Sequence, residues 1–416
     1  MAAAAVLSDA GVDVTLVERR PRLGGRATSF DDPATGLLLD NCQHVLLGCC
    51  TRLLSLYKRM GVEPAIERFE RIMFADAAGR RASLAAGPLP SPLHLAGAML
   101  RFSLLTLAEK LDIARAMAAM KLAGETGALS AGRIPFSQWL IDHQQSPSTI
   151  ARFWDVIVVS ALNARCDQAS ARYGMQVFQE AFLGDRQGYV LGVPRVPLAE
   201  LYEKAVARRV ITNTRVTELQ VDHDRAAIML ADGQRIDGDA VIVATAPDSA
   251  RRLLSPLPPM AGTIEKLSHL RYHTILGVHL FFDRPVMAEP HLALIGTELQ
   301  WLFRKDSEGR HVHGVISAAQ EQTDEGSAQL EQRLVGEVRR LLPEAENARL
   351  TSIRVVREKR ATFVPSPGVD DLRPQQATAM RRLFLAGDYT QTGWPATMEG
   401  AVRSGEMAAE AVLKAL

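Results

Sequence analysis

Three stretches of the chain carry side chains whose types and spacing suit chemistry as well as packing. In the first, Val17-Glu18-Arg19 closes an alternating, β-branched run, and Leu23-Gly24-Gly25-Arg26 follows it. An acid at the end of the second strand of a dinucleotide-binding fold accepts hydrogen bonds from ribose hydroxyls. Paired glycines let the backbone approach a phosphate closely, and a guanidinium can pair with it. In the second, Leu383-Phe384-Leu385-Ala386 has the pattern of a buried strand that ends in Gly387-Asp388, and a helix starts near Thr397-Met398. The N-terminus of such a helix carries partial positive charge and suits an anion. The third stretch is Asp40-Asn41-Cys42-Gln43-His44, a polar knot between apolar segments. It serves either as a hydrogen-bonded turn, which Asp and Asn favour, or as part of a site floor.

The elements that must position these residues follow from periodicity. Residues 2–10 are alanine-rich and predict a helix closed at Gly11, and 12–17 predict the strand that ends at Glu18. In a dinucleotide fold a buried strand and a G-x-G-x-x-G loop precede that helix, about 10–20 residues in all. Met1 here falls inside the helix, so the chain reads as an N-terminally shortened form. A helix is predicted over 51–60, stopped at Gly61. Long apolar helices are predicted over 92–105 and 107–122, and a third over 151–162. Residues 189–194 are extended, 198–207 helical, and 210–219, which include Val216, form a strand. A continuous apolar strand over 240–247 suits a parallel sheet. Residues 272–364 are strand-rich, with strands over 275–282, 299–303, 313–317 and 353–356 and one amphipathic helix over 327–342. The dinucleotide character returns from Leu383 onward, with a helix running from Thr397 to Leu413.

The resulting expectation is an α/β chain with a discontinuous Rossmann-like domain (1–60, 190–255 and 375–416). An α+β substrate domain (61–189 and 256–374, helical over 88–165) is interleaved with it.

Composition narrows the classes of function. Lys and Arg number 48 against 47 Asp and Glu, which leaves no general field for nucleic acid. The four cysteines form no CxxC pair and no zinc set, and they fit a reduced, cytoplasmic setting. The opening MAAAAVL lacks the basic region of a signal peptide, and no run of about 18 uncharged apolar residues predicts a spanning helix.

Four segments in order, Glu18 with Gly24-Gly25-Arg26, the strands within 210–247, Gly387-Asp388 and the helix at Thr397-Met398, suit a two-domain flavoprotein holding FAD. The chain resembles the flavin-containing amine oxidase and phytoene desaturase superfamily, and within it the hydroxysqualene dehydroxylase group of hopanoid biosynthesis. The resemblance rests on those segments, on Asp40-Asn41-Cys42-Gln43-His44-Val45-Leu46-Leu47-Gly48, on Ala161-Leu162-Asn163 and on Trp394-Pro395-Ala396-Thr397-Met398-Glu399-Gly400. The departures are the missing glycine-rich loop, Cys42 where that group carries glycine, and Cys50 where an aromatic residue is common.

The resemblance implies FAD held by Glu18, Arg19, Gly24, Gly25, Arg26, Val216, Gly387, Asp388, Thr397 and Met398. It further implies reductive removal of an allylic hydroxyl from a C30 isoprenoid. Protonation of that hydroxyl releases water, and hydride from reduced flavin quenches the delocalised cation in an apolar, water-poor site. His44 is then the first candidate proton donor, with Asp40 as its orienter, and Tyr389 the second. The apolar helices between Pro92 and Leu122 would bound a tunnel or a peripheral membrane mouth. The rivals are a squalene or carotenoid desaturase, in which hydride runs the other way, and a non-catalytic form that binds no FAD. An amine oxidase fits less well, because aromatic residues make up 6% of the chain and show no paired signature.

Overall fold

The computed structural model describes residues 1–204 and 206–416. The helix Ala2–Asp9 leads through Gly11, whose φ of +79° requires glycine, into the strand Thr15–Val17. That strand pairs in parallel with Arg209–Ile211, and Val241–Val243 pairs in parallel with Leu383–Leu385. Segments distant in sequence thus share a parallel arrangement, as a discontinuous α/β fold requires. The alanines of the first helix have a packing reason. A Cβ on Gly405 of the C-terminal helix, Met398–Ala415, would lie 2.9 Å from the Cβ of Ala2. Small residues on both helices permit that approach, and Leu7, Phe384, Ala409 and Val412 seal the layer against the strands.

A larger, mostly antiparallel sheet of seven strands runs in the order Leu350–Phe363, Tyr272–Phe282, His311–Ile316, Trp301–Arg304, His291–Ile295, Arg71–Asp76, Arg81–Ala85. The His291–Ile295 strand meets Arg71–Asp76 in parallel. Alternation divides the sheet's two faces. Leu276, Val278 and Leu280 pack with Leu330, Leu334, Val338 and Leu341 of the amphipathic helix Ser327–Leu341. The intervening Gly277, His279 and Phe281 therefore point the other way, toward the polar knot at residues 40–44.

The helical part comprises Leu107–Ser130, Phe136–Asp142, Asp155–Leu162 and Ala171–Phe178. Phe136, Trp154 and Phe178 interlock at its centre, where a Cβ on Gly174 would overlap the Phe136 ring. A capping box between Thr106 and Glu109 starts the long helix, and Gly124 interrupts it at φ +60°.

Several sequence expectations need correction. Of 92–105 only Ala96–Arg101 is helical, because Phe102 leaves the helix extended so that Phe102, Leu104 and Leu105 all reach the core. The segment 151–162 begins as a π-helical turn, Ile150–Trp154. Over 198–207 the structure forms the 3₁₀ turn Leu198–Tyr202, while Ala205 lies outside the described residues. The 210–219 strand divides at Asn213, whose φ of +53° breaks it. Val216–Val221 instead opens a three-stranded meander with Ala226–Leu230 and Arg235–Gly238. The strand placed over 353–356 extends across Leu350–Phe363.

Candidate functional site

The turn after Thr15–Val17 places Gly24 at φ +102° and Gly25 at φ +64°. A Cβ on Gly24 would sit 2.4 Å from the Ala27 carbonyl oxygen and 2.7 Å from the Tyr202 ring, so this turn is closed to larger residues. Among the described residues nothing lies within 4 Å of a Cβ on Gly25, so a ligand can approach that side of its backbone, while its carbonyl accepts from Arg20 at 3.3 Å. Arg26 projects from this turn and donates to Asp388 Oδ1 at 2.6 Å and to the Ala361 carbonyl at 2.5 Å. The ion pair with buried Asp388 holds the Arg26 guanidinium firmly cationic. Residues from the two ends of the chain therefore meet at one charged point.

The Asp388 side is rigidly built. Gly387, at φ +140°, donates its N–H to Ser404 Oγ at 2.7 Å, which ties the end of the Leu383–Leu385 strand to the C-terminal helix. Buried Arg373 donates to the Asp388 carbonyl at 3.0 Å and to Thr392 Oγ1 at 3.1 Å. Thr397 caps the C-terminal helix by accepting the Gly400 N–H at 3.1 Å. Met398 packs with the cluster around Leu53 and Tyr57. Among the described residues the buried hydroxyls of Tyr272 and Tyr389 have no partner. Burial pushes Tyr272 up to about 12 and Tyr389 upward as well, so both stay O–H donors.

The expected flavin fits this donor set. A guanidinium suits a phosphate, a carboxylate suits sugar or ribityl hydroxyls, two phenols lack partners, and the open Gly25 backbone permits close approach. The remaining sequence candidates lie further out. Glu18 follows its strand with its N–H on the Ile211 carbonyl (2.8 Å), and its carboxylate accepts the Arg20 N–H (2.9 Å). Arg19 is exposed, and Val216 packs against the apolar core at the start of the meander.

The polar knot docks on the sheet because Gly277 has no side chain. A Cβ there would meet the Asn41 carbonyl oxygen and His313 Nε2 at 2.9 Å and the Cys42 Cα at 3.3 Å. Asn41 Nδ2 donates to the Arg26 carbonyl at 2.6 Å, which joins the knot to the charged point. Cys42 is accommodated in the core, where burial pushes its thiol pKa up and keeps it neutral.

His44 is half-buried, and its Nδ1 lies 3.1 Å from the Cys42 carbonyl, a contact that requires Nδ1–H to donate. Burial holds its pKa below the ordinary histidine value. The expected pairing of Asp40 with His44 does not form. The Asp40 carboxylate accepts from Ser29 Oγ (2.8 Å), the Leu198 N–H (2.9 Å) and Lys305 Nζ (2.9 Å), which fix it in place; the Cys42 carbonyl orients His44 instead.

Sequence reasoning missed Lys305 and a buried histidine face. His279 stands opposite His313 across neighbouring strands, with the rings stacked at 3.9 Å. His279 Nε2 donates to the Asp40 carbonyl at 2.9 Å, and its Nδ1 accepts from His311 Nε2 at 3.0 Å. Both His313 nitrogens are buried without partners among the described residues. Burial lowers His279 to about 4 and His311 to about 3, and drives His313 down too, so the face is neutral. The alternation in His311-Val312-His313-Gly314 was the available signal, since residues two apart on a strand share a face.

Glu399, placed by sequence in the first turn of the last helix, turns inward. It accepts the backbone N–H groups of Arg52 (3.2 Å) and Leu53 (2.8 Å) and the Arg403 guanidinium (2.8 Å). It thereby caps the helix Thr51–Arg59. Asn163, from the Ala161-Leu162-Asn163 motif, adopts φ +52° at a helix end and donates to Thr362 Oγ1 at 3.0 Å, a structural pin between layers.

Comparison with known proteins follows the same lines. Residues 1–413 match the family described as flavin containing amine oxidoreductase. The chain is 31% identical to hydroxysqualene dehydroxylase of Rhodopseudomonas palustris, over 100% of this chain and 96% of that protein. It is 28% identical to the hydroxysqualene dehydroxylase of Sinorhizobium fredii, over 99% and 95%. Its identity to the 15-cis-phytoene desaturase of Synechococcus elongatus is 24%, over 99% and 93%. Among solved structures it is similar to a putrescine oxidase triple mutant, with a TM-score of 0.75, 18% identity and coverage of 99% and 96%. Cyclohexylamine oxidase from Brevibacterium oxydans gives a TM-score of 0.70 at the same identity and coverage. At such identities these structures show a shared fold.

Proposed function

Since the chain belongs to the flavin-containing amine oxidoreductase family and is an FAD-dependent oxidoreductase, we propose that it reductively dehydroxylates hydroxysqualene to squalene in triterpenoid synthesis. The observation that carries the reading is full-length similarity to hydroxysqualene dehydroxylases, joined with a half-buried histidine beside the Arg26–Asp388 point.

In this reading, segments 1–60, 190–255 and 375–416 hold FAD, and 61–189 with 256–374 shape the isoprenoid site. Arg26 and the Gly24-Gly25 turn would hold the phosphates, Asp388 and Glu18 would accept the sugar and ribityl hydroxyls, and the N-terminus of the Thr397-capped helix would stabilise negative charge on the flavin. When bound and reduced, FAD supplies hydride to the allylic carbon.

The protein's own residues handle the proton and exclude water. His44, oriented through Nδ1 by the Cys42 carbonyl, has Nε2 free to deliver a proton to the leaving hydroxyl, which departs as water. Its lowered pKa makes the imidazolium a stronger acid. The neutral histidine face and the Lys305–Asp40 pair fix the floor beneath it without placing a loose base near an allylic cation. Tyr389, with its unpartnered hydroxyl, is the second candidate donor.

Similarity to phytoene desaturases favours one competing reading, in which oxidised flavin removes hydride from squalene or a related polyene. The test is product analysis after incubating the chemically reduced holoenzyme with hydroxysqualene. Squalene is the expected product. Unchanged hydroxysqualene, or a more unsaturated C30 product from squalene and oxidised enzyme, would overturn the proposal.

A further inference from the structure

We propose that the solvent face of the helix Leu107–Ser130, together with the turn that precedes it, docks on an anionic lipid surface. Seven of the twelve exposed large apolar side chains among the described residues fall between Leu89 and Leu129. On the helix, Leu107 (69% exposed), Leu111 (58%) and Leu122 (89%) lie on one stripe with Ala114 and Ala118, because the spacing follows the helical repeat. The opposite stripe, Ile113, Ala116 and Met120, is buried in the protein core. A helix that is apolar on both faces normally has a partner on each.

Leu100 (69% exposed) continues the patch, since Lys110 Nζ reaches across to the Leu100 carbonyl at 2.7 Å. No helix among the described residues is long and apolar enough to cross a membrane, so the contact is a face laid on the surface.

The charges select the occupant. Arg101, Lys110, Arg115 and Lys121 rim the stripe. Of the acids on this helix, Glu109 and Asp112 are turned toward the protein and Glu125, one turn beyond Lys121, is exposed, so four cations stand against one exposed acid. Glu109 is held by Thr106, Ser148 and Arg152, and Asp112 by the Ser146 N–H, Thr149 and Arg115. A second copy docking by the same face would oppose cation to cation. Anionic headgroups with acyl chains beneath complement both the rim and the stripe.

At the far end of the stripe a cleft of about 300 Å³, lined by Met120, Lys121, Glu125, Leu129 and Glu180, reaches Gly393, in the loop that joins Asp388 to Thr397. The docked face thus adjoins the loop that carries Asp388 and Thr397. The purpose of the docking, delivery of a C30 hydrocarbon from the bilayer, rests on the proposed function; the surface itself does not.

The test is co-sedimentation of the full chain with phosphatidylcholine vesicles, with and without phosphatidylglycerol. Wild type is expected to partition onto the phosphatidylglycerol vesicles and to be released by salt. A Leu107→Ser, Leu111→Ser, Leu122→Ser variant is expected to bind about tenfold more weakly or worse, with unchanged circular dichroism and Tm. Arg115→Ala with Lys121→Ala should lose the preference for phosphatidylglycerol.

Wild type remaining in the supernatant at low salt would overturn the proposal, as would a triple variant that sediments like wild type. A wild-type dimer dissociated by Leu111→Ser would also overturn it and assign the face to a second copy. The vesicles contain no isoprenoid, so failure of dehydroxylation in detergent counts against the proposed function alone. Loss of vesicle binding by wild type with detergent activity intact counts against the docking alone.

Discussion

His44 and Arg26 make the sharpest predictions at the scale of single residues. With Nδ1–H donated to the Cys42 carbonyl and its pKa held below the usual value by burial, His44 is mostly neutral at pH 7. If its protonated form delivers the proton, kcat/KM should rise about tenfold per unit as pH falls from about 8 toward about 6.5. His44→Gln should flatten that rise and slow turnover at least about a hundredfold while retaining FAD. A flat wild-type profile would remove His44 from the proton step.

Arg26→Ala deletes a charge-assisted partner for phosphate worth about 1.5–3 kcal/mol and leaves Asp388 buried without its cation. FAD affinity measured by fluorescence titration should weaken roughly tenfold to a hundredfold. Arg26 and Asp388 were legible because each sits in a local glycine signature. The true partner of Asp40 was not, because Lys305 approaches from a strand edge far along the chain and no local spacing announces it.

At the scale of elements, Glu399 shows a helix start stabilised from outside its own sequence. Cys50 and Thr51 offer no side-chain cap to Thr51–Arg59, and the buried Glu399 carboxylate supplies one from the C-terminal helix. Glu399→Ala leaves two backbone N–H groups and Arg403 without their acceptor. It should cost about 1–3 kcal/mol in urea denaturation, with Glu399→Gln recovering part of the loss.

Elements with strong periodicity, such as Ser327–Leu341 and the C-terminal helix, were readable from spacing. Those that failed did so for local reasons. Asn213 in the left-handed region cuts a β-branched run in two, and Phe102 leaves an apolar helix to fill the core. Propensity does not report either event, because both are decided by tertiary packing.

For the molecule as a whole, the buried histidine face sets a pH limit on stability. His279, His311 and His313 are held neutral in the fold, at about 4, at about 3 and well below 6.5 respectively, whereas the unfolded chain binds protons at about 6.5. The unfolded state gains protons as pH falls below about 6.5, and the folded state does not until about 4. Stability should therefore be full above about 6.5 and decline steadily between those limits. Tm recorded across that window should fall, and His313→Leu should make the decline shallower. A Tm independent of pH would show that these side chains are not held as described.

The α/β class, with parallel pairs built from distant segments, was legible from the order of its motifs. The histidine face was not, because it arises only when Tyr272–Phe282 and His311–Ile316 come into register.

Passage of hydride from reduced FAD to an allylic carbon of hydroxysqualene can be followed by anaerobic flavin spectroscopy. The reduced holoenzyme is mixed with hydroxysqualene, and in parallel the oxidised holoenzyme with squalene. Hydride delivery to hydroxysqualene returns the oxidised flavin bands in the first mixture, with one squalene formed per flavin, and leaves the second unbleached. Bands that fail to return with hydroxysqualene, or that bleach with squalene, would contradict it.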